Sequence, residues 1–336
     1  MTTILPPSTP ATQTPATQTP ATSRRTDADP TVEPEAVITF TRVSKVYGQV
    51  RAVDNASATI RAGHIVGLIG PNGSGKTTLL RMLAGLASPT SGVIEVLGTS
   101  PTVSSVRRRM GIVGARFPVA RRRSGAEVLR HLAALRQLPN TGRAEALAER
   151  FQLDLGRRAD ALSRGNLQKL ALVQAMMHSP EILLLDEPTV GLDPVAQRTL
   201  NDVLAEEQER GTTIVMSSHV LSAVQTAATH ILAIREGRII IDGPIGPVLA
   251  STGRNVSVRV TASATDRIAS YLSEARLMPH SGSAGDEAEW TITGRHHGDI
   301  NELLERLADC HVIDLTVADP QLDDLVDSVY RTGGNR

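Results

Sequence analysis

Apolar side chains are nearly absent from the first 34 residues, where Ala-Thr-Gln-Thr-Pro occurs twice in tandem (11–15 and 16–20). Such a segment buries too little surface to offset chain entropy, so residues 1–34 are expected to form a disordered tail. From about Val37 the pattern changes. Ile38, Phe40 and Val43 open a strand-like run, Ala58 and Ile60 close a second, and residues 65–69 form the continuous apolar run of a buried strand. That run enters a glycine-rich turn and then a helix expected over residues 77–86. From about residue 115 to 165 the spacing is helical: Val128, Leu129, Leu132 and Leu135 recur at three- and four-residue intervals, as do Ala146, Leu147 and Phe151. Strands return at 182–185, 213–216, 231–234 and 239–241. A helix is expected over 196–209, with Leu200, Val203 and Leu204 inward and a stop at Gly211. Strands alternating with helices imply a largely parallel, helix-covered sheet, and the helical stretch in the middle reads as an insertion.

A boundary is expected near 247–253, dividing a unit at 35–248 from a smaller one at 249–336. Beyond it, Val256, Val258 and Val260 alternate as in a strand, and Ile268 and Leu272 suggest a helix. A strand near 277–280, one through Trp290 and Ile292, a helix over 300–307 and a strand over 312–317 follow. A closing helix over 322–330 places Leu322, Leu325, Val326 and Val329 on one face. The layout is β-α-β-β-α-β, of ferredoxin type.

Composition narrows the class. The chain has 336 residues, 35 basic and 35 acidic side chains, 40% apolar residues and 2% aromatic residues. Balanced charge argues against a nucleic-acid partner, and so few rings leave little to stack on single-stranded bases. The lone Cys310 excludes an internal disulfide framework and a multi-cysteine zinc site, and fits a reducing compartment. No apolar run approaches the roughly 18 to 20 residues of a membrane span, and no basic-then-apolar leader opens the chain. A soluble, cytoplasmic protein is expected.

Two motifs carry chemistry. Gly70-Pro-Asn-Gly-Ser-Gly-Lys-Thr77 matches the phosphate-loop pattern G-x-x-x-x-G-K-[ST], between an expected strand and an expected helix. Its glycines let successive backbone N–H groups turn toward phosphate oxygens, and the following helix adds its positive end. The nucleotide-binding set is Gly70, Asn72, Gly73, Ser74, Gly75, Lys76, Thr77 and Thr78. Lys76 would neutralise the β- and γ-phosphates of a bound nucleotide, and Thr77 would offer its hydroxyl to Mg²⁺. The second motif is Ile182-Leu-Leu-Leu-Asp-Glu-Pro188. An apolar strand ending in a carboxylate puts Asp186 at the sheet's C-terminal edge, where it would hold Mg²⁺ through water, and Glu187 beside it as general base. Together the motifs specify an NTPase.

At this point the chain resembles the nucleotide-binding subunit of ABC transporters, over about residues 37–247. Leu162-Ser-Arg-Gly-Asn-Leu-Gln168 resembles the family's signature sequence: Leu162, Ser163 and Gly165 agree, while Arg164 and Asn166 replace a glycine and a glutamine. A basic residue in that third position resembles the drug-exporter and related branches. The resemblance implies a P-loop NTPase (ABC ATPase) fold of α/β class, with a mostly parallel sheet, antiparallel N-terminal strands and a helical insertion, plus a small α+β ferredoxin-like C-terminal domain. It also implies that Ser163 and Gly165 face ATP held by an opposite subunit, either a second copy or a homologous ATPase. Tyr47 resembles the aromatic that stacks on adenine. Asp193, in Gly191-Leu-Asp-Pro194, resembles the loop that couples the two sites. His219 stands at the switch-histidine position, where it would hydrogen-bond the γ-phosphate and orient Glu187.

One departure stands out. After the strand at 110–113 the family normally carries a glutamine, less often a glutamate, and the alignment of Ser124-Gly-Ala-Glu-Val128 puts Ala115 there. Alanine neither ligates Mg²⁺ nor bonds the attacking water, which leaves open a weakly hydrolysing or regulatory subunit of a heterodimer. The same region carries Arg107–Arg109, Arg116 and Arg121–Arg123, a basic face for a membrane subunit, for anionic headgroups or for solvent alone. The segment Ala318-Asp-Pro-Gln-Leu-Asp-Asp-Leu-Val326 resembles the end of bacterial exporter ATPases. The resemblance thus implies an ATP-driven motor for a separately encoded membrane permease, peripheral on the cytoplasmic face. A soluble, non-transport ABC ATPase is the alternative.

Overall fold

Two antiparallel strands, β1 (Ala36–Tyr47) and β2 (Val50–Arg61), open the computed structural model, which describes residues 34–114, 122–279 and 288–325. Then come β3 (Ile65–Ile69), α1 (Lys76–Leu83), β4 (Ser91–Val96), α2 (Ser104–Arg108) and β5 (Met110–Val113). The insertion supplies α3 (Gly125–Leu135), α4 (Gly142–Arg150) and α5 (Arg164–Met176). The chain continues through β6 (Ile182–Asp186), α6 (Pro194–Glu209), β7 (Thr213–Ser218), α7 (Leu221–Ala227), β8 (His230–Arg235), β9 (Arg238–Pro244) and α8 (Ile245–Ala250). Last come β10 (Arg254–Thr261), α9 (Thr265–Ala269), β11 (Ser273–Pro279), β12 (Glu289–His296), α10 (Ile300–Ala308) and β13 (Val312–Ala318).

The central sheet has the order β5-β6-β7-β3-β8-β9, parallel except for β9 at one edge. Every residue of β3, β6 and β7 is buried because both faces of the sheet are covered. The two-residue period sorts their side chains. Ile65, Ile69, Leu183, Leu185, Ile214 and Met216 join the core beneath α5, α6 and α7. Val66, Leu68, Ile182, Leu184 and Val215 join a second core with α1 and the antiparallel sheet β2-β1-β4. This is the α/β class with antiparallel N-terminal strands that the family resemblance implies.

The insertion begins with a reciprocal cap. Ser124 Oγ accepts the Glu127 N–H at 3.2 Å, and Glu127 Oε2 accepts the Ser124 N–H at 2.7 Å. Phe151, 1% exposed, shares its core with Leu147, Leu170 and Met176. Glu207, also 1% exposed, accepts from Arg143 of α4 and Arg210 at 2.5 Å each, so a buried carboxylate fastens the insertion to α6. Arg150 adds a two-pronged pair to Glu206 at 2.7 Å.

The C-terminal strands form a separate antiparallel sheet of order β11-β12-β10-β13, with its own core of Val256, Val258, Val260, Ile268, Ile292, Leu303 and Leu307. That strand order and the helices α9 and α10 make the ferredoxin-like arrangement. No helix among the described residues is long and apolar enough to cross a membrane.

Several local expectations change. Helix α1 ends at Leu83, not Leu86, because the Leu86 and Gly85 N–H groups return to the carbonyls of Arg81 and Met82. Helix α6 starts earlier than Ala196, at Pro194, because Asp193 Oδ1 accepts the Ala196 N–H at 2.8 Å and proline suits the first turn. In α4 the inward alanines are Ala144 and Ala148, one turn apart, and Ala146 is exposed. Leu135, at the end of α3, is 67% exposed. Leu272 lies past the end of α9, though still buried, and β11 begins at Ser273. The tail before Pro34, Ala115, Arg116, Arg121, His280 and the closing helix from Val326 onward lie outside the described residues.

Phe151→Ala should cost about 3–5 kcal/mol and Phe151→Leu about 1 kcal/mol, read from urea denaturation. A second prediction concerns His178, whose Nε2 donates to the Met110 carbonyl at 3.0 Å. Burial first, and then the charges of Arg136 and Arg143, push its pKa down from 6.5 to about 4. The native imidazole therefore resists a proton that the unfolded chain accepts. Stability is full above the unfolded value of 6.5 and falls as pH drops toward about 4. His178→Gln should flatten that limb by at most about 1.4 kcal/mol per pH unit, read as the difference between the two proteins' urea midpoints.

Candidate functional site

Strands β3, β6 and β7 are neighbours, so their C-terminal ends open onto one edge of the sheet. The phosphate-loop sequence leaves β3 at Gly70 and enters α1 through Gly75, whose φ of 111° and close approach to the Ala52 carbonyl leave no room for a Cβ. Asn72 and Gly73 are exposed at the loop's tip. Ser74 is 4% exposed, and its Oγ has no hydrogen-bond partner among the described residues. Lys76, 6% exposed, curls back into the loop, where its Nζ donates to the carbonyls of Gly70 at 2.7 Å and Pro71 at 3.1 Å. Burial lowers its pKa, and the nearby charges of Glu187 and Asp186 oppose that shift. Thr78 follows in the first turn of α1.

The acidic strand meets this loop. Asp186 is 4% exposed, and its Oδ1 accepts the Thr77 hydroxyl at 3.1 Å and the Ser217 hydroxyl at 2.7 Å. A threonine hydroxyl and a carboxylate are hard oxygen donors of the kind Mg²⁺ prefers when phosphate oxygens and water complete its shell. Beside them, the orphaned Ser74 hydroxyl and the buried Lys76 ammonium suit an anionic oxygen. The residues therefore fit a magnesium-bound phosphate chain.

Glu187 takes the left-handed backbone conformation, φ 53°, and its N–H donates to Ser217 Oγ at 3.0 Å. Its Oε2 accepts from His219 Nδ1 at 2.6 Å and from the His219 N–H at 3.4 Å. A carboxylate only accepts, so this pairing puts the ring proton on Nδ1 and leaves Nε2, on a half-exposed ring, free to face a ligand.

Not all of the sequence-derived residues gather here. Ser163 caps α5, its Oγ accepting the Asn166 N–H at 3.2 Å, and Gly165 lies against the Gly191 carbonyl. Asp193 caps α6 and pairs with Lys169 Nζ at 3.7 Å. These contacts make a second cluster beside the first. Tyr47 ends β1, 48% exposed, with the Lys45 ammonium 4.9 Å from its ring centroid. Ser217 was not assigned a role from sequence, yet it joins Asp186 to Glu187. The signal was its place: a hydroxyl at the end of a buried apolar strand, two residues before His219. Of the basic stretch, Arg107, Arg108, Arg122 and Arg123 are exposed, and Arg109 is engaged by Glu181 on both Nε and Nη2.

Known proteins resemble this chain in sequence and fold. The family model for ABC transporters matches residues 53–190. The ABC transporter ATP-binding protein NatA of Bacillus subtilis (strain 168) is 34% identical over 221 residues, covering 62% of this chain and 90% of NatA. The daunorubicin/doxorubicin resistance ATP-binding protein DrrA of Streptomyces peucetius is 33% identical over 231 residues, covering 67% of this chain and 70% of DrrA. Among solved structures, a dimeric ATP-binding cassette in a post-hydrolysis state with ADP and Pi superposes with a TM-score of 0.56 at 24% identity, over 62% of this chain and 98% of that one. The last likeness concerns the fold. With the phosphate-loop sequence, the acidic strand and His219 converging on one sheet edge, the chain belongs to the ABC transporter family, among the ATP-binding ATPase subunits of its drug-exporter-like branch.

Proposed function

We propose that this chain is the ATP-hydrolysing motor of an exporter whose membrane permease is a separate protein. The observation that carries the reading is the convergence of Lys76, Thr77, Asp186, Glu187 and His219, with the Glu187–His219 contact at 2.6 Å. In this reading Gly70, Asn72, Gly73, Ser74, Gly75 and Thr78 wrap the phosphates, and Lys76 leaves its carbonyls to meet the β- and γ-oxygens. Thr77 and, through water, Asp186 hold Mg²⁺, which when bound neutralises charge developing between those phosphates. Glu187 takes the proton of the attacking water, and His219 orients Glu187 while its Nε2 reaches the γ-phosphate. Tyr47 stacks on adenine.

Two copies, or this chain and a homologous ATPase, would sandwich two ATP molecules, each between one subunit's phosphate loop and Ser163 and Gly165 of the other. Asp193 would lie in the loop coupling the two sites. Closure would drive the permease, and hydrolysis would reopen the dimer. The similarity to DrrA, named for drug resistance, supports export. The dimeric cassette supports the sandwich. Peripheral attachment to the cytoplasmic face through the permease fits a chain in which no described helix can cross a membrane. A second reading, a weakly hydrolysing partner of a stronger ATPase, is favoured by Ala115 at the position where the family carries glutamine.

Mg·ATP hydrolysis by the purified full chain, measured against protein concentration beside Glu187→Gln, tests both. Activity per molecule should rise with concentration and fall by about 10²- to 10⁴-fold in Glu187→Gln, with ATP binding retained. Tight binding without turnover in the unaltered chain would favour the second reading, and a gain in turnover on Ala115→Gln would confirm it. Loss of both binding and hydrolysis in the unaltered chain would sink the motor reading.

A further inference from the structure

Glu187 is held in a backbone conformation that non-glycine residues seldom adopt, and the next residue is a proline without an N–H. Such a turn keeps its shape only if its surroundings fix it. Ser217 fixes it from the β7 side through the Glu187 N–H at 3.0 Å, and the Val190 N–H closes the turn on the Glu187 carbonyl at 3.2 Å. From the opposite side, Gln168 Nε2 donates to the Pro188 carbonyl at 3.0 Å.

Gln168 lies on α5, one turn from Ser163 and Gly165. The same helix start meets the 187–193 segment at two further points, Gly165 against the Gly191 carbonyl and the buried Lys169 beside Asp193 at 3.7 Å. A Cβ on Gly165 would collide with that carbonyl, so the two backbones are in direct contact. The start of α5 and the segment from Pro188 to Asp193 are thus joined at three points.

We propose that Gln168 is a positioning residue for Glu187, which couples the state of the Ser163–Gly165 loop to the general base of the same subunit. The proposal rests on the function above, in which that loop faces the nucleotide held by the partner subunit. When the partner's ATP draws the loop in, the shift of α5 passes through Gln168 to the Pro188 carbonyl and seats the Glu187 carboxylate. Each site would thus become competent when the other is filled. Gln168 acts through the peptide that follows Glu187, by its bond to the Pro188 carbonyl.

The test separates kcat from ATP affinity in Gln168→Met, which keeps length and helix propensity but loses the donor. Expected are a kcat lowered about 10- to 100-fold, the scale of a misplaced catalytic group, and an ATP Kd within about twofold of the unaltered chain. Gln168→Lys, which restores an N–H donor, should recover most of kcat. Gln168→Glu, with no donor at neutral pH, should behave as Gln168→Met does and serves if that variant folds poorly. A Gln168→Met kcat equal to the unaltered one, a matching loss of ATP binding, or no recovery in Gln168→Lys would each overturn the proposal. An unaltered chain that neither binds nor hydrolyses ATP would overturn the function reading, whereas failure of the variants beside an active unaltered chain overturns this proposal alone, which keeps the two failures apart.

Discussion

Asp186 stands opposite Ser217 because β6 and β7 run parallel and in register from Ile182 and Thr213 to their ends, and the site depends on that pairing. Side chains alternate along a strand, so a slip of one residue would turn Asp186 into the core and present Leu185 at the edge. The register holds because Ile182, Leu183, Leu184 and Leu185 each belong to one of two buried apolar layers, and a slip would exchange all of them at once. The apolar residues that bury the strand thereby also aim its carboxylate. Ser217, buried beside it, bridges the carboxylate that would hold the metal and the backbone of the residue that would take the proton.

Glu187 shows how the buried site and the half-exposed one differ. Asp186 sits inside, bonded by two hydroxyls, in a setting that can compose a metal site but leaves little room for a side chain to move. Glu187, one residue on, leaves the strand through a left-handed turn and meets a histidine ring that is half in solvent. In the proposed reaction Glu187 takes a proton from water, and its side chain, 21% exposed, is not sealed from solvent. The strained turn restricts where the carboxylate can go, and its conformation is held by β7 on one side and α5 on the other.

The insertion carries α5 and is fastened to α6 by Arg143 and Arg150 on Glu207 and Glu206. Since Asp193 caps α6, the segment from Glu187 to Asp193 runs between two elements that are themselves braced. At the far end, Leu322 and Leu325 of the C-terminal segment insert into the large core rather than into the core of the small sheet, and the Leu322 N–H donates to Gln225 of α7 at 3.0 Å. The helix that follows His219 thus receives the end of the described chain.

Much of this was legible from residue order. The strand–loop–helix around Lys76, the acidic end of β6 and the histidine after β7 are local patterns, and each of those strands forms where its apolar run lies. Local spacing also marked the alternation at Val256, Val258 and Val260 in the small sheet. It misjudged details settled by neighbours: Asp193 starts α6 early by capping it, and burial falls on Ala144 and Ala148 because α4 docks through that face. The roles of Ser217 and Gln168 were illegible. A serine's or a glutamine's chemistry depends on which carbonyl or N–H lies within about 3 Å, and that is a distance between segments 20 or 30 positions apart. Sequence determined which groups carry charge, which runs are buried and where the turns fall. Tertiary structure decided which of them meet, because strand order and helix docking bring distant residues together, and no local propensity encodes that separation.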